Sequence, residues 1–573
     1  MPMNTTIRED QSRKIALEQA GGSQNINLAE NWTEIFSGPG RAVFSDVLKK
    51  WLPSKRWFRS KARAITSVNI TEQIRVPTEG QEAFLLLFQV KYQTGAPEKY
   101  VLPVACAFGS EAEEIKRSST QLIVAPVSLT RKARDGVIYD AIVSKTFGHA
   151  LLALTAKRQT MSGKSGDLES EPTEVLRRIR REQGLNMEPK ISKAEQSNSS
   201  IIYESSVMLK FFRRLDAGTN PELEIERFLS KRDFPYSPQL AGALEYRDQE
   251  GATSTMAVLT SFIPGCHDAW EDTLVALSEF YDMVSQMPAP FKQASASAEA
   301  ETAPLRHSAQ GQSPGELLGS YLQDAETLGQ RTASLHLTLA SDSDDPAFRP
   351  EPWTQEDQQA LFESARVLTR HNFELLRQRL ASLPTESQGL GSRVEGLQDS
   401  ILCRFERILQ HPINAVRIRT HGDYHLGQVL HHGPDFLIID FEGEPAISLE
   451  ERRRKQSALR DVAGMIYSFF YAAHAALREQ TAAADEQVQL ENQLAWARYW
   501  SVWVGTNYLR SYLKTAGEAP FVPENETALK IMLDVELLRK AIYELGYELN
   551  NRPEWASIAF RVLLDLHNPD NLV

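Results

Sequence analysis

Carboxylate and amide side chains are concentrated in residues 420–445, where Asp423, Gln428 and Asp440 recur within one short stretch. Two apolar runs flank the sequence Gly-Pro-Asp, which is a turn signal and predicts a β-hairpin. If the turn is centred on Pro434, Gln428 and Asp440 lie directly opposite each other, with Cβ atoms ~5 Å apart. Hard oxygen ligands of this kind suit Mg²⁺. The stretch therefore predicts a magnesium site beside a further aspartate, Asp423.

The order of these residues is typical of the catalytic centre of protein-kinase-like folds. In such folds a first aspartate orients the attacking hydroxyl and accepts its proton, and an amide and a second aspartate hold Mg²⁺ on the nucleotide phosphates. Asp423 is then the predicted catalytic base, and Gln428 and Asp440 are the predicted metal ligands. Glu442, two residues beyond Asp440, is expected to join the second metal position.

Two other interpretations of the same stretch remain open. His421, Asp423 and His425 form an H-x-D-x-H string of the type that metallohydrolases use. That site would need further ligands, and the remaining histidines are scattered along the chain. In a purely structural interpretation, the carboxylates cap loops and take no part in chemistry.

A lysine and two glutamates upstream meet an independent requirement of a kinase-like fold. Lys210 lies inside an apolar strand predicted at 207–212, where a phosphate-binding lysine is expected. A helix follows at once, with Asn220 as its N-cap and a proline at its first position. Either Glu222 or Glu224 in its first turn is expected to pair with Lys210.

The short polar segment before this strand is a weaker candidate for phosphate binding. It lacks the G-x-G-x-x-G pattern, but its hydroxyl, amide and backbone N–H groups suit a phosphate. The candidate residues are Ser197, Asn198, Ser199 and Ser200. Residues 259–264 are expected to link the two lobes.

The alternation of strand and helix patterns predicts an α+β, bilobal protein-kinase-like fold. An N-terminal cap subdomain is followed by a β-rich ATP-binding subdomain and a large helical C-lobe that carries the catalytic loop. The predicted bounds are a poorly ordered lead-in at 1–40, the cap at 41–155, the ATP-binding subdomain at 156–265 and the C-lobe at 266–573, with a mobile insertion at 285–315.

Composition excludes several functional classes. The net charge of −12 gives no basic surface of the kind that nucleic acids require. Three widely separated cysteines without a C-x-x-C motif fit a reducing compartment. No apolar run is long enough to span a membrane, and the N-terminus has no signal peptide. We expect a cytoplasmic protein that binds neither membrane nor nucleic acid.

Several motifs together resemble the bacterial maltokinases, including the maltokinase portions fused to trehalose synthase. They are RTHGDYHLGQVL, IIDFEGEP, ALRDVAGMIYSF, LKFFRRLDAGTNPELEIERFL and YELGYELNNRPEW, with WLPSKRWFRSKAR resembling the N-terminal cap of that family. The resemblance implies ATP- and Mg²⁺-dependent phosphorylation of maltose at its anomeric hydroxyl. The product, maltose 1-phosphate, would feed α-glucan (glycogen) synthesis, in functional coupling to trehalose synthase and a maltosyltransferase.

The resemblance also assigns supporting and acceptor-binding residues. Asp461 and His421 are expected to support the catalytic loop. The expected acceptor-side residues are Asp268, Trp270, Arg460, Tyr543, Tyr547 and Asn551. Two rivals remain open: the same enzyme class acting on glucosamine or an aminoglycoside, with carboxylates binding the ammonium group, and a non-catalytic pseudokinase that partners a glucan-synthesis enzyme.

Overall fold

The computed structural model describes residues 25–192, 198–290, 313–444, 447–481 and 487–567. Residues 1–24, Ser197 and most of the expected insertion at 285–315 therefore lie outside the described residues. The chain forms two compact units, one of Met1–Arg227 with Pro238–Pro264 and the other of Phe228–Ser237 with Gly265–Val573. Both strands and helices are present, so the predicted α+β class is confirmed.

A six-stranded sheet forms the first half of the first unit. Apolar residues dominate its inner strands, and Glu98–Phe108 is buried along most of its length. The strands run, across the sheet, in the order Ile26–Leu28, Ile123–Leu129, Arg134–Asp140, Glu98–Phe108, Ala83–Tyr92 and Ile65–Val76. The helices of this part are Gly38–Trp51, Ser110–Ser118 and Lys145–Ala156.

The residues just before position 41 belong to this sheet, contrary to the predicted lead-in. Ile26–Leu28 forms a strand that pairs in parallel with Ile123–Leu129. Trp32 and Ile35 are buried in the same apolar cluster. The prediction was wrong for residues 26–40 because the polar and glycine content of the whole segment hid a few well-spaced apolar anchors, whose burial stabilises the edge of the sheet.

A seven-stranded sheet forms the second half of the first unit. Its order is Thr160–Ser162, Gly166–Pro172, Leu240–Asp248, Thr253–Ser261, Val207–Phe212, Asn198–Tyr203 and Pro189–Ile191. The helices are Glu174–Gln183 and Pro221–Ser230, the latter running from the first unit into the second. The predicted strand at 207–212 has the bounds that the structure gives.

The expected boundary at 155/156 does not separate two cores. One apolar cluster contains Leu85 and Val101 of the six-stranded sheet together with Leu209 and Leu259 of the seven-stranded sheet. The backbone continues the connection, since Val101 N–H donates to Arg213 O at 2.9 Å. The cap and the ATP-binding part are therefore one compact unit.

The second unit is mainly helical, as predicted for the C-lobe. Its longer helices are Ala269–Val284, Tyr321–Leu339, Gln355–Arg379, Thr385–Glu395, Gln398–Glu406, Leu459–Thr481, Gln487–Ala516, Glu526–Asn551 and Ala556–His567, with short helices at Pro314–Leu318 and Leu449–Arg452. Its strands are His267–Asp268, Glu351–Pro352, Val416–Arg417, Val429–His432 and Asp435–Ile438. Among the described residues, no helix is both long and apolar enough to cross a membrane.

The predicted hairpin is present, but its register differs by one residue. His432 lies opposite Asp435, and Val429 lies opposite Ile438. The turn is the two-residue sequence Gly433–Pro434, and Gly433 has the positive φ of 61° that such a turn favours. Extended by one residue, this register sets Gln428 against Ile439, whose N–H donates to Gln428 O at 3.0 Å. The expected direct opposition of Gln428 and Asp440 is therefore wrong.

Candidate active site

The loop that carries Asp423 is held in place by the side chain of Asp461. One oxygen of Asp461 accepts the backbone N–H of His421 at 2.7 Å, and the other accepts that of Gly422 at 2.9 Å. Asp461 lies in the first turn of the helix Leu459–Thr481 and is almost fully buried. His336, also buried, lies 3.0 Å from the same carboxylate through Nε2. Charge-assisted hydrogen bonds to two successive N–H groups fix the backbone immediately before Asp423.

Electrostatics keep Asp461 ionised inside the protein. Burial alone would raise the pKa of Asp461, but the hydrogen bond and charge of His336, together with the N–H of Gly422, lower the pKa below its usual range. A buried carboxylate that accepts several hydrogen bonds is stabilised in its charged form. This is the geometry expected of a residue that supports a catalytic loop.

The two histidines of the loop have partners other than a metal. His421 Nε2 lies 2.8 Å from the carbonyl oxygen of Ile439, and its Nδ1 accepts the N–H of Asp423 at 3.4 Å. His425 Nδ1 accepts the N–H of Gly427 at 3.1 Å and caps the short helix that follows. No group of three or more His, Cys, Asp or Glu side chains in the described part of the chain could hold a metal ion. In the described part of the chain, the loop histidines therefore do not form the metal site that the metallohydrolase interpretation requires.

The residues proposed as magnesium ligands flank the two strands of the hairpin at the end opposite its turn. Gln428 ends a short 3₁₀ helix directly before the first strand. Asp440 follows the second strand and has a φ of +63°, a left-handed conformation that aspartate tolerates better than most residues. Glu442 lies 3.6 Å from the buried guanidinium of Arg452. Gln428, Asp440 and Glu442 stay predicted metal ligands.

Asp423 lies in a small polar pocket whose walls come from several separate segments of the second unit. The pocket has a volume of about 80 Å³. The Nζ of Lys540 lies 3.6 Å from Oδ1 of Asp423 and 2.7 Å from Oε1 of Glu544. The polar side chains lining it are Asp423, Glu444, Arg460, Asp461, Glu536, Arg539, Lys540 and Tyr543.

A second carboxylate, Glu444, also lines this pocket, and the Tyr543 hydroxyl donates to its Oε1. Burial, and then the charge of Asp423, raise the pKa of Glu444. Burial also raises the pKa of Tyr543, as does its carboxylate partner. Glu444 and Tyr543 therefore form one hydrogen-bonded unit that can accept or donate to a bound hydroxyl.

The charge state of Asp423 follows from its neighbours. Burial acts to raise the pKa of Asp423, but Lys540 lowers it, and His425 and His421 add to this effect, so the pKa lies below the usual value. Burial acts to lower the pKa of Lys540, but Glu544 and Asp423 raise it. The pair therefore consists of a carboxylate and an ammonium ion at neutral pH.

Of the other predicted acceptor-side residues, Arg460 lies in this pocket, whereas Asp268 caps a helix and Trp270 packs against another aromatic ring. Arg460 lines the pocket and donates to Gln456. Asp268 caps the helix Ala269–Val284 by accepting the N–H of Trp270 at 2.8 Å. The indole of Trp270 packs against Tyr471 with ring centres 5.9 Å apart.

Tyr543, Tyr547 and Asn551 lie on the helix Glu526–Asn551, and the end of this helix is exposed. The side chain of Tyr547 is 42 % exposed and lies under the guanidinium of Arg552, at 5.3 Å. Asn551 is also exposed and donates to the backbone of Tyr547. Of the three residues proposed from this helix, the structure brings only Tyr543 to the pocket.

In the first unit, Lys210 is paired with Glu222. Its Nζ lies 3.4 Å from Oε2 of Glu222, and both side chains are buried. Asn220 caps the helix by accepting the N–H of Glu222 at 2.9 Å, which fixes that residue in the first turn. Glu222, one of the two glutamates that the sequence left open, is thus a partner of Lys210.

The predicted polar phosphate loop is part of a strand where it is described. Asn198–Tyr203 pairs with Val207–Phe212, and Ser200 lies opposite Lys210. Ser199 Oγ accepts the Nε–H of Arg213 at 2.9 Å. The strand that the sequence predicts from Ser200 thus begins two residues earlier and includes Asn198 and Ser199, whereas Ser197 lies outside the described residues.

Lys540 was missed by the sequence analysis, although a signal for it existed. The helix Glu526–Asn551 includes Lys540, Tyr543 and Glu544, which the i,i+3 and i,i+4 spacing places on one face. Taking the aromatic residues alone hid the charged ones. Position along the face, rather than residue type, would have identified Lys540.

Comparison with known proteins supports this interpretation of the fold. Residues 51–143 match the maltokinase N-terminal cap domain. The glucosamine kinase of Mycolicibacterium smegmatis is 23% identical over 381 residues, which is 65% of this chain and 78% of that protein. The glucosamine kinase of Streptacidiphilus jiangxiensis is 25% identical over 280 residues, and the match spans about half of that relative, 52%.

Solved structures of glucosamine kinase share the fold over most of the chain. One, in complex with glucosamine, ADP and inorganic phosphate, has a TM-score of 0.55 at 17% identity and covers 87% of this chain and 93% of that one. A second, crystal form B, has a TM-score of 0.56 at 17% identity and covers 94% and 99%. At such identity the likeness concerns the fold alone. The chain therefore shares the kinase-like fold of these glucosamine kinase structures, and residues 51–143 in its first unit match the maltokinase N-terminal cap domain.

Proposed function

We propose that this protein transfers the γ-phosphoryl group of ATP to a sugar hydroxyl. The observation that carries the proposal is Asp423, an ionised carboxylate in a polar pocket, on a loop braced by Asp461. The sugar oxygen forms a bond to the γ-phosphorus while the bond from that phosphorus to the ADP oxygen breaks. The hydroxyl proton passes to Asp423. A base of lowered pKa suffices because a loose transition state needs orientation of the hydroxyl more than early proton removal.

Candidate nucleotide-binding residues occur in both units. Lys210, held by Glu222, offers a positioned ammonium group for the α- and β-phosphates. Gln428 and Asp440 offer oxygen donors of the kind that Mg²⁺ prefers, and they fit such an ion. When bound, Mg²⁺ neutralises charge that develops on the phosphates. These assignments are part of the proposal.

The proposed acceptor is the anomeric hydroxyl of maltose, which gives maltose 1-phosphate. The match of residues 51–143 to the maltokinase cap domain supports this choice over other sugars. The pocket supports it chemically, because Glu444 with Tyr543 and the cations Arg460 and Arg539 offer both acceptors and donors to hydroxyl groups. Supply of this product to α-glucan synthesis, together with trehalose synthase and a maltosyltransferase, belongs to the same proposal.

The acceptor is tested by ADP release from Mg-ATP with maltose, glucose, glucosamine and kanamycin in separate reactions. We expect release with maltose and little with the others. Release with glucosamine, the substrate in the names of the relatives, would retain the phosphotransferase assignment and overturn the choice of sugar. Nucleotide binding without release on any sugar would point to a pseudokinase.

The role of Asp423 is tested by Asp423→Asn. Loss of the carboxylate should lower kcat by about 10³-fold, in the range of general-base contributions, while Kd for a fluorescent ATP analogue stays near that of the wild type. Asp399→Asn, on an exposed helical surface, is the matched control and should keep full activity. An Asp423→Asn variant that retains a tenth of the wild-type rate would contradict the assignment.

A further inference from the structure

A cavity lined mainly by cations lies elsewhere in the second unit and has no part in the proposed reaction. Its volume is about 460 Å³. The charged residues that line it are Arg417, Arg419, Arg453, Arg454, Lys455 and Glu351. Five cations and one carboxylate converge there, although the whole chain has a net charge of −12. Local cation excess in an acidic protein points to a ligand of negative charge.

Two chain segments bring these cations together. Ile418 N–H donates to Gln456 O and Gln456 N–H donates to Ile418 O, both at 2.9 Å. This paired bridge aligns the segment containing Arg417 and Arg419 with the segment 453–455. Val416–Arg417 pairs in turn with Glu351–Pro352, which supplies the single lining carboxylate. The backbone, rather than mobile side chains alone, fixes the positions of the charges.

The carboxylates nearby are shared among several cations. Glu351 lies 2.6 Å from Lys455 and 3.2 Å from Arg417. Asp357 lies 2.5 Å from Arg417. The Nε–H of Arg417 is buried and has no hydrogen-bond acceptor within the described residues. The guanidinium of Arg417 is thus only partly satisfied by these two carboxylates.

Two of the cations that line the cavity are largely buried. Arg419 is only 1% exposed, and the side chain of Lys455 is 8% exposed. Like charges held together away from water destabilise a protein unless opposite charge offsets them. Guanidinium groups donate in a planar fork that suits phosphate oxygens, and four of the five cations are arginines.

We propose that this basic cavity binds a tetrahedral oxyanion, either inorganic phosphate or the phosphate group of a phosphomonoester. Both lining segments continue directly into the candidate active site. Arg419 lies two residues before His421, and Lys455 lies six before Asp461. Binding therefore stabilises the strand that enters the Asp423 loop. The site is separate from that proposed for the nucleotide and does not depend on the identity of the sugar.

The experiment measures binding of inorganic phosphate and of glucose 6-phosphate by calorimetry, against sodium chloride at matched ionic strength. Arg454→Gln removes an exposed lining cation and should weaken binding by about tenfold or more. Arg178→Gln removes one charge from an exposed arginine run on the helix Glu174–Gln183 and should leave binding unchanged. Equal binding by Arg454→Gln and wild type would overturn the proposal.

Two further measurements separate this site from the nucleotide site. Lys210→Met should bind phosphate as the wild type does, whereas loss of phosphate binding in Lys210→Met would place the anion at the proposed nucleotide site and overturn the inference. Hydrogen exchange of residues 416–423 should slow when phosphate is added. Tighter binding of glucose 6-phosphate than of phosphate identifies a phosphomonoester as the ligand, and equal binding identifies the free ion.

Discussion

At the scale of single residues, the ion pair with Lys540 determines the electrostatic environment of the proposed base, Asp423. The two groups are 3.6 Å apart, and Lys540 is held more closely by Glu544, at 2.7 Å. Lys540 is thus anchored away from Asp423 and contributes charge without capturing the carboxylate in a short hydrogen bond.

Replacing Lys540 should therefore weaken catalysis through Asp423. In Lys540→Met we expect kcat/KM to fall by about 10–100-fold, because a partly buried carboxylate loses its main opposite charge. Lys540→Arg should recover part of this loss because it keeps the charge. The matched control is Lys530→Met, earlier on the same helix, where Lys530 pairs with Glu526 at the surface and should have no effect on activity.

The pH profile distinguishes an electrostatic role from a structural one. Lys540 lowers the pKa of Asp423, so its removal raises that pKa. In the proposed mechanism the ionised form of Asp423 is the active one, so activity is lost as pH falls through its pKa. The acidic limb of kcat/KM should therefore move to higher pH in Lys540→Met. A lower rate with an unchanged acidic limb would contradict the role assigned to Lys540.

At the scale of elements, local sequence signals predicted which strands and helices exist better than they predicted how the strands pair. The strand 207–212, the Asn220 cap and the hairpin after Asp423 followed from apolar runs, a capping residue and a turn signal. The hairpin register did not, because centring the turn on Pro434 and closing it over Gly433–Pro434 differ by one residue, and turn geometry sets the register. The one-residue difference changed the predicted partner of Gln428.

The helix that carries Asp461 approaches the catalytic loop at a glycine. A Cβ at Gly464 would lie 2.5 Å from the carbonyl oxygen of Tyr424, the residue after Asp423. Gly464→Ala should therefore destabilise the protein by about 1–3 kcal/mol through overpacking and lower kcat. The effect is measured by urea unfolding and by initial rates.

A second helical glycine provides the control for this prediction. At Gly505, in the helix Gln487–Ala516, the nearest atom to an added Cβ is Ile466 Cγ2 at 3.5 Å, an ordinary contact distance. Gly505→Ala should be neutral or stabilise the protein by up to about 1 kcal/mol, since alanine is the better helix former. If both variants behave alike, the close approach at Gly464 has no energetic role.

At the scale of the whole molecule, the sequence predicted which kinds of element form the first unit but not that its two sheets share one apolar core. Changes in local pattern placed a boundary near residue 155, whereas one apolar cluster extends across it. Such contacts join residues far apart in the chain, and periodicity within a short window cannot report them. The same limit applies to the pocket, where Lys540 meets Asp423 across more than a hundred residues.

A buried ion pair provides a test of that cohesion. Arg213, after the strand of Lys210, lies 2.8 Å from Asp140 of the six-stranded sheet, and both side chains are almost completely buried. Arg213→Met leaves the carboxylate of Asp140 buried without its partner and should lower the free energy of unfolding by about 3–5 kcal/mol. Denaturant unfolding of the full chain measures this loss.

The control is an exposed ion pair of the same sheet. Arg75 and Glu82 lie 3.1 Å apart with both side chains largely in solvent. Arg75→Met should change the free energy of unfolding by about 1 kcal/mol or less, because water screens such a pair. An equally small effect for Arg213→Met would show that the two sheets are not held together by the buried pair.

The apolar cluster shared by the two sheets also limits how such proteins can be recombined. A chimaera that exchanges only residues 51–143 for a relative's cap would join two half-cores whose side chains had never been matched in volume. An exchange that moves Met1–Arg227 together with Pro238–Pro264 keeps the interior intact. For those who transplant domains between such proteins, we expect the complete first unit to be the smallest transferable piece.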